Sequence, residues 1–238
     1  WEPHNRLTAD GLPSETCPVD DIPSVGHPVF PFNGEYYEEV LDYRLRGRGQ
    51  EFEWSRTYRS KNGVATDQGN NWDHSYNIVI ALPNEDEFLP RDGTCIMVCN
   101  GGGRRDAYKK AGSIWTRPES FATITKDSTS QDYRMTFEDN SQWIFFGNLD
   151  STESTPYAGK IKESVDRNGN RLQFVYQGQS DYFPGKLHHV IDAMGRQIDV
   201  NYYRAPLDPE YKSGKIKSVR IGVGSDVSIT YDYYGDEA

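Results

Sequence analysis

Long apolar runs are missing from this sequence. None approaches the ~18 residues that a membrane-spanning helix requires, so no membrane span is expected. Hydrophobic residues make up 35% of the 238, low for a compact core, and no segment carries a helical period of apolar residues. Basic residues are outnumbered, 26 Lys and Arg against 36 Asp and Glu, for a net charge of −10. That balance lacks the clustered positive charge that nucleic acid rewards, and it disfavours docking on anionic lipid. Cysteine is scarce, at three. Cys95 and Cys99 lie four apart in an expected strand, roughly 13 Å at ~3.3 Å per residue, too far to bridge if extended. Cys17 is able to pair with either. Zinc would need more ligands than this spacing offers.

Aromatic residues are plentiful, 13% of the chain with 16 Tyr. This suits thin sheets with much wetted surface, where Tyr supplies apolar area and a polar tip. The stretch Gly159–Tyr234 repeats itself. Three segments begin Gly-Lys-aliphatic and end in Tyr: GKIKESVDRNGNRLQFVY from 159, GKLHHVIDAMGRQIDVNY from 185 and GKIKSVRIGVGSDVSITY from 214. Lys160, Lys186 and Lys215 stand at one spacing from Gly169, Gly195 and Gly224, and at one longer spacing from Tyr176, Tyr202 and Tyr231. The copies align without a gap. Fixed spacing at such a period marks a repeat architecture.

Each copy reads as two strands around a glycine turn. In the second strand Leu172, Phe174 and Tyr176 alternate with Gln173 and Val175; Ile198, Val200 and Tyr202 and then Val227, Ile229 and Tyr231 repeat the pattern. Such alternation predicts a strand with one buried face. Gly169, Gly195 and Gly224 are expected in equivalent hairpin turns, the first as a type I′ turn at Asn168-Gly169. One hairpin cannot bury its apolar face alone, so stacked neighbours must stabilise the array.

Asp166…Gly169…Tyr176 and Asp192…Gly195…Tyr202 resemble the YD repeat of the Rhs family, which includes bacterial polymorphic-toxin shells, the C component of Tc toxins and animal teneurins. The third copy has Ile221 where Asp is expected, and Tyr231-Asp232-Tyr233-Tyr234-Gly235 is again YD-like. Upstream, Arg56-Thr57-Tyr58-Arg59-Ser60 and Gly69-Asn70-Asn71-Trp72-Asp73-His74 resemble the opening region of Rhs proteins. The wording there is most similar to very large bacterial proteins of the planctomycete kind. The resemblance marks Arg56, Tyr58, Gly69, Trp72 and His74 as a motif. It implies an antiparallel, all-β fold whose sheet spirals into a hollow shell, in a secreted or cell-surface protein. In the toxin relatives the shell encloses a C-terminal domain and ends in an aspartyl autoprotease motif; no such motif is found here.

The remaining chain divides accordingly. Residues 1–28 are Pro/Asp/Ser-rich and lack periodicity, as a linker or an extended segment would; Glu15, Asp20 and Asp21 read as solvated loop carboxylates. Residues 29–158 form an opening β-region and 159–238 the hairpin repeats. Strands are expected at 35–46, 51–59, 78–82, 94–99, 105–109, 113–117, 121–126, 132–138 and 141–146. The chain opens on Trp1 and closes in a repeat-like run, and reads as a piece of a longer protein.

Five groupings invite a chemical reading. Asp73, His74 and Ser75 are the residue types of a hydrolase triad, but neighbours on a strand face opposite ways. His188 and His189 on one strand should likewise diverge, which argues against a shared metal. Gly101-Gly102-Gly103-Arg104-Arg105 lacks the Lys-Ser/Thr and the helix of a phosphate loop. Asp166-Arg167-Asn168-Gly169-Asn170 lacks the downstream Glu of a calcium loop. Tyr36, Tyr37, Trp54, Trp72, Tyr202 and Tyr203 form either a sugar-stacking ridge or cross-strand packing. No catalytic, metal or cofactor site is expected. The expected role is structural, with the rest of a longer chain, an enclosed domain or further copies as partners. The alternative is an adhesin or glycan-binding module.

Overall fold

The computed structural model describes residues 29–30, 33–47, 49–61, 63–83, 89–118, 120–149, 155–222 and 227–234. Almost every element is a strand, and a 3-10 turn at Glu210–Lys212 is the only helix among the described residues. No helix there is long and apolar enough to cross a membrane. Cys17, Gly224, Glu15, Asp20 and Asp21 lie outside the described residues.

A small sheet comes first. Its strands are β1 (Val29–Phe30), β2 (Glu35–Leu45), β3 (Phe52–Arg59) and β6 (Trp72–His74), in the order β1-β2-β3-β6. The short pair β4 (Ala65–Thr66) and β5 (Gly69–Asn70) fills the loop before β6. β2 carries a bulge: Leu41 pairs with Ser55 and Tyr43 with Trp54, leaving Asp42 as the extra residue. Beyond the bulge Tyr43 and Leu45 pack on the main core. A β-bulge re-aims side chains in this way.

The second sheet is a thirteen-stranded meander. It begins with β7 (Val79–Ala81), β8 (Cys95–Cys99), β9 (Arg105–Ala111), β10 (Ile114–Thr116), β11 (Thr123–Lys126), β12 (Tyr133–Thr136) and β13 (Gln142–Phe145). It continues through β14 (Ile161–Val165), β15 (Arg171–Tyr176), β16 (Leu187–Ile191), β17 (Gln197–Tyr202), β18 (Ile216–Ile221) and β19 (Ser228–Thr230). Each strand pairs antiparallel with its sequence neighbours. β13 pairs with β14 across the connection that contains residues 158 and 159, and the chain passes from the small sheet to the large one between β6 and β7.

The meander coils back on itself without forming a closed barrel. Ile80 N–H donates to the Gly159 carbonyl at 2.8 Å, Ile161 N–H donates to that of Ile78 at 3.1 Å, and Val79 bridges Lys160. The free edge of β7 thus meets the start of β14 after one turn of eight strands. Much of the enclosed side is filled. Phe52 and Trp54 of β3, both fully buried, join Tyr76, Ile96, Ile124, Phe145, Phe174 and Val190 in one core. Along this stretch the small sheet therefore occupies most of the interior that the family resemblance implies to be hollow.

The repeats are visible in the hydrogen bonding. In two of them an Asp begins the turn: Asp166 Oδ1 accepts from the N–H of Asn168 and Asn170, and Asp192 Oδ1 from the N–H of Met194 and Arg196, all at 2.8–2.9 Å. Gly169 and Gly195 have φ of +85° and +76°. Their preceding residues, Asn168 and Met194, do not have positive φ. The turn is consequently a type I turn closed by a left-handed glycine, not the type I′ turn expected from Asn168-Gly169. Each repeat also carries a bulge where one hairpin meets the next. Lys162, His188 and Lys217 are the extra residues, opposite Phe145, Tyr176 and Tyr202.

The third copy departs from the gapless alignment. Glu163 pairs with Gln173 and His189 with Asp199, but Ser218 pairs with Thr230, two residues further along. The third hairpin is therefore two residues longer. Val227 takes the turn position of Asn170 and Arg196 and is 44% exposed, where the alternation predicted burial. Tyr231 takes the core place of Phe174 and Val200, and Tyr233 takes that of Tyr176 and Tyr202.

Candidate functional site: a clasp between the small sheet and the repeats

The five motif residues of the opening region converge. Across the β3–β6 ladder, Arg56 faces His74 and Tyr58 faces Trp72. Tyr58 packs on Trp72 with ring centroids 5.1 Å apart. His74 is buried and stacks on Trp54 at 4.7 Å and 10°. Gly69, on β5, has φ of +115°, a backbone state that side chains disfavour, and a Cβ there would lie 3.6 Å from the Tyr233 ring. Two carboxylates that the sequence reading did not single out complete the cluster.

The first is Asp42, the bulge residue. Arg56 grips it with two hydrogen bonds, Nε to Oδ2 at 2.5 Å and Nη2 to Oδ1 at 2.8 Å. The Tyr231 hydroxyl donates to the same Oδ2 at 2.6 Å. The guanidinium lies 5.1 Å from the ring centroids of both Trp72 and Tyr231. Burial and the Asp42 hydrogen bond raise the Tyr231 phenol well above its ordinary range. A side chain from the last described hairpin is thereby tied to the first long strand.

The second is Asp67, between β4 and β5. Its Oδ1 lies 3.4 Å from His74 Nε2 and its Oδ2 3.8 Å from Lys186 Nζ. Burial alone would raise this carboxyl, but the His74 contact and the charges of Lys186 and Lys160 outweigh it and hold it below the usual range. The Asp67 carbonyl accepts from Ile216 N–H at 2.8 Å, so the loop also joins the backbone of the third repeat.

Asp67 meets a ladder. Lys160 Nζ lies 5.4 Å from the Tyr176 ring, Lys186 Nζ 5.2 Å from Tyr202 and Lys215 Nζ 5.0 Å from Tyr233. Each tyrosine hydroxyl donates to the carbonyl at the start of its own hairpin: Tyr176 to Ile161 at 2.8 Å, Tyr202 to Leu187 at 2.8 Å and Tyr233 to Ile216 at 2.9 Å. The third repeat tyrosine is thus Tyr233, which corrects the assignment of that role to Tyr231. The evenness of these distances follows from the repeat, because each Lys immediately precedes its strand and stands two residues before the bulge residue. Burial lowers the pKa of Lys160 and raises that of Tyr176.

The other groupings resolve as scaffold. Ser75 Oγ donates to the Glu53 carbonyl at 2.9 Å and accepts from Ser55 N–H, so it binds backbone rather than His74. His188 and His189 do not diverge as expected; their ring centroids lie 4.9 Å apart because His188 is a bulge residue. No group of three or more potential metal ligands occurs among the described residues. The Asn100 side chain caps the glycine turn by accepting from the N–H of Gly102 and Arg104. The six candidate ridge aromatics are packed rather than aligned on one open face: Trp54 is fully buried, Trp72 lies under Arg56, Tyr202 and Tyr203 sit beneath lysines, Tyr37 packs on Phe30, and Tyr36, though exposed, packs on Tyr58.

Asp73 is buried, and burial pushes its carboxyl up to about 6 even though Oδ1 accepts from His74 N–H at 2.9 Å and from Asn77 Nδ2 at 2.8 Å. The folded state binds this proton more tightly than the unfolded chain does. The cost of ionising Asp73 is therefore fully present above about pH 6 and disappears below the ordinary carboxylate pKa near ~4. Asn at this position retains an acceptor for both donors and carries no charge. Asp73→Asn is expected to stabilise the fold at pH 7.5 by ~1–3 kcal/mol. Urea titrations should show the gain vanishing near pH 4; a gain independent of pH would assign it to something other than the charge.

Residues 26–108 match the model of one protein family, described as a domain of unknown function (DUF6531). The matched stretch contains the small sheet, with Asp42, Asp67 and all five motif residues, and continues into β9. No curated protein matches the chain.

Proposed function

We propose that this chain is a non-catalytic structural part of a large secreted or cell-surface protein, the filled first turn of a β-spiral that encloses or displays another domain. What carries the reading is the double clasp. Arg56–Asp42–Tyr231 and Asp67 with its lysine ladder join the small sheet to the repeats through groups that spend their bonding on one another. A repeat array exposes its core at its end unless a distinct unit covers it. The small sheet does this on the enclosed side, while β19, which pairs with β18 alone among the described strands, leaves an edge that further hairpins of the same chain would extend. Electron cryomicroscopy of the full-length native protein tests the proposal. Further strands of the same polypeptide should continue from β19 around a separate domain. A native β19 edge left bare, or taken by another copy, would defeat the enclosing role, and the second result would establish self-assembly instead.

A further inference from the structure

The small sheet does not cover the whole inner face of the meander. Between the β8–β9 turn and the β12–β13 turn lies a cleft of about 580 Å³, within the range of ligand sites. These turns are four strands apart in the sheet, so the curl of the meander brings them to one cleft. Met135 and Ala122 contribute to its floor, and Phe137 and Trp143 stack edge to face with centroids 5.0 Å apart. Phe121, at the rim, is 78% exposed. Its ring adds an exposed aromatic face to the apolar floor of the cleft.

The polar groups are of two kinds. From the β8–β9 turn, Asn100 uses its side-chain oxygen on backbone N–H groups, which leaves its amide hydrogens as donors. Arg104 commits Nε to the Asp106 carboxylate and keeps both terminal nitrogens as donors. From the β12–β13 turn, Asp139 accepts from Ser141 N–H and Oγ through Oδ1 alone, leaving Oδ2 as an acceptor, and the Glu138 carboxylate lies exposed beside it. The cleft thus offers aromatic faces with donors from one turn and acceptors from another.

We propose that this cleft binds a neutral saccharide. A sugar ring presents a C–H face that packs on aromatic rings and hydroxyls that both donate and accept, the complement of these surfaces. Glu138 and Asp139 oppose an anionic ligand, and Arg104 opposes a cationic one. A peptide bound by strand addition would need a strand edge to continue, whereas this floor is made of side chains on a sheet face. The site is independent of what the spiral encloses.

A glycan array followed by titration calorimetry with glucose and N-acetylglucosamine hexasaccharides tests this. At least one neutral oligosaccharide should bind saturably. Phe121→Ala should weaken it by about tenfold, as loss of one stacking face implies, and Glu138→Gln should weaken it severalfold. Both positions are exposed, so the melting temperature should not move. Absence of neutral-sugar binding at millimolar concentration, a preference confined to acidic glycans, or affinity unaffected by both substitutions would overturn the assignment.

Discussion

Arg56→Ala is expected to destabilise the fold by ~3–5 kcal/mol, the cost of leaving one partner of a buried ion pair behind. Asp42 has a side chain only 10% exposed, and Arg56 is its sole cationic partner among the described residues. Removing the guanidinium strands the carboxylate and opens the space between Trp72 and Tyr231, where it is sandwiched. For a chain of this size the loss corresponds to a fall of roughly 6–20 °C in melting temperature. Adding Asp42→Asn should restore part of it, because a neutral amide tolerates burial better than an unpaired charge. The double-mutant cycle therefore separates the two contributions. If Arg56→Ala costs under 1 kcal/mol in urea denaturation, the clasp does not hold the small sheet to the repeats.

The strands of this fold are legible in the sequence because alternation is a local property. Leu172, Phe174, Ile198 and Val200 are buried as the period-two pattern requires, and every strand expected between residues 94 and 146 is present, β9 extended to Ala111 and the others with trimmed ends. What the pattern cannot register is a shift of two. Tyr231 and Tyr233 point to the same side of a strand, so a hairpin lengthened by two residues keeps its alternation while changing which tyrosine closes the ladder. The pairing of Ser218 with Thr230 and the Tyr233 hydrogen bond to the Ile216 carbonyl reveal the insertion. The bulge at Asp42 is hidden for the opposite reason. It changes the phase within one strand, and the residues on either side look regular in both phases.

The clasp was half legible. Arg56, Tyr58, Gly69, Trp72 and His74 stood out together through the family resemblance, and the β3–β6 register and the β4–β5 loop unite them. Their partners did not stand out. Asp42 and Asp67 are acidic residues in a chain with 36 of them, and their contacts reach across 189 residues to Tyr231 and, through the Asp67 carbonyl, to Ile216. No local pattern specifies such a distance. The ladder did leave a trace in the equal Lys-to-Tyr spacing of the first two copies, since a residue stacked on its own hairpin must keep a constant separation from it. Trp54, readable from the sequence as either stacking or packing, is settled as packing only by the fold: it alternates with Glu53 and Ser55, and alternation shows that one face is apolar without showing what covers it.

The repeat glycines allow a sharper test, because they divide into two kinds. Gly195 closes an Asp-turn at φ +76° with nothing within 4 Å of where a Cβ would stand. Gly185, which opens a hairpin, has nearly the same φ of +80°, but its Cβ would fall inside van der Waals contact of the Pro156 carbonyl oxygen. Both substitutions to Ala incur the left-handed backbone penalty of ~1–2 kcal/mol. Only Gly185→Ala adds a steric collision with backbone, and overpacking of that sort costs a further ~1–3 kcal/mol. Gly195→Ala should therefore lower stability by ~1–2 kcal/mol and Gly185→Ala by ~2–5 kcal/mol. The difference between them is insensitive to errors in the shared penalty. It measures how closely one hairpin is pressed against the loop that precedes the previous one, the contact through which a spiral of repeats gains height. Equal losses in urea denaturation would mean that the hairpins stack more loosely than this geometry requires, with their stability residing in the strand ladder alone.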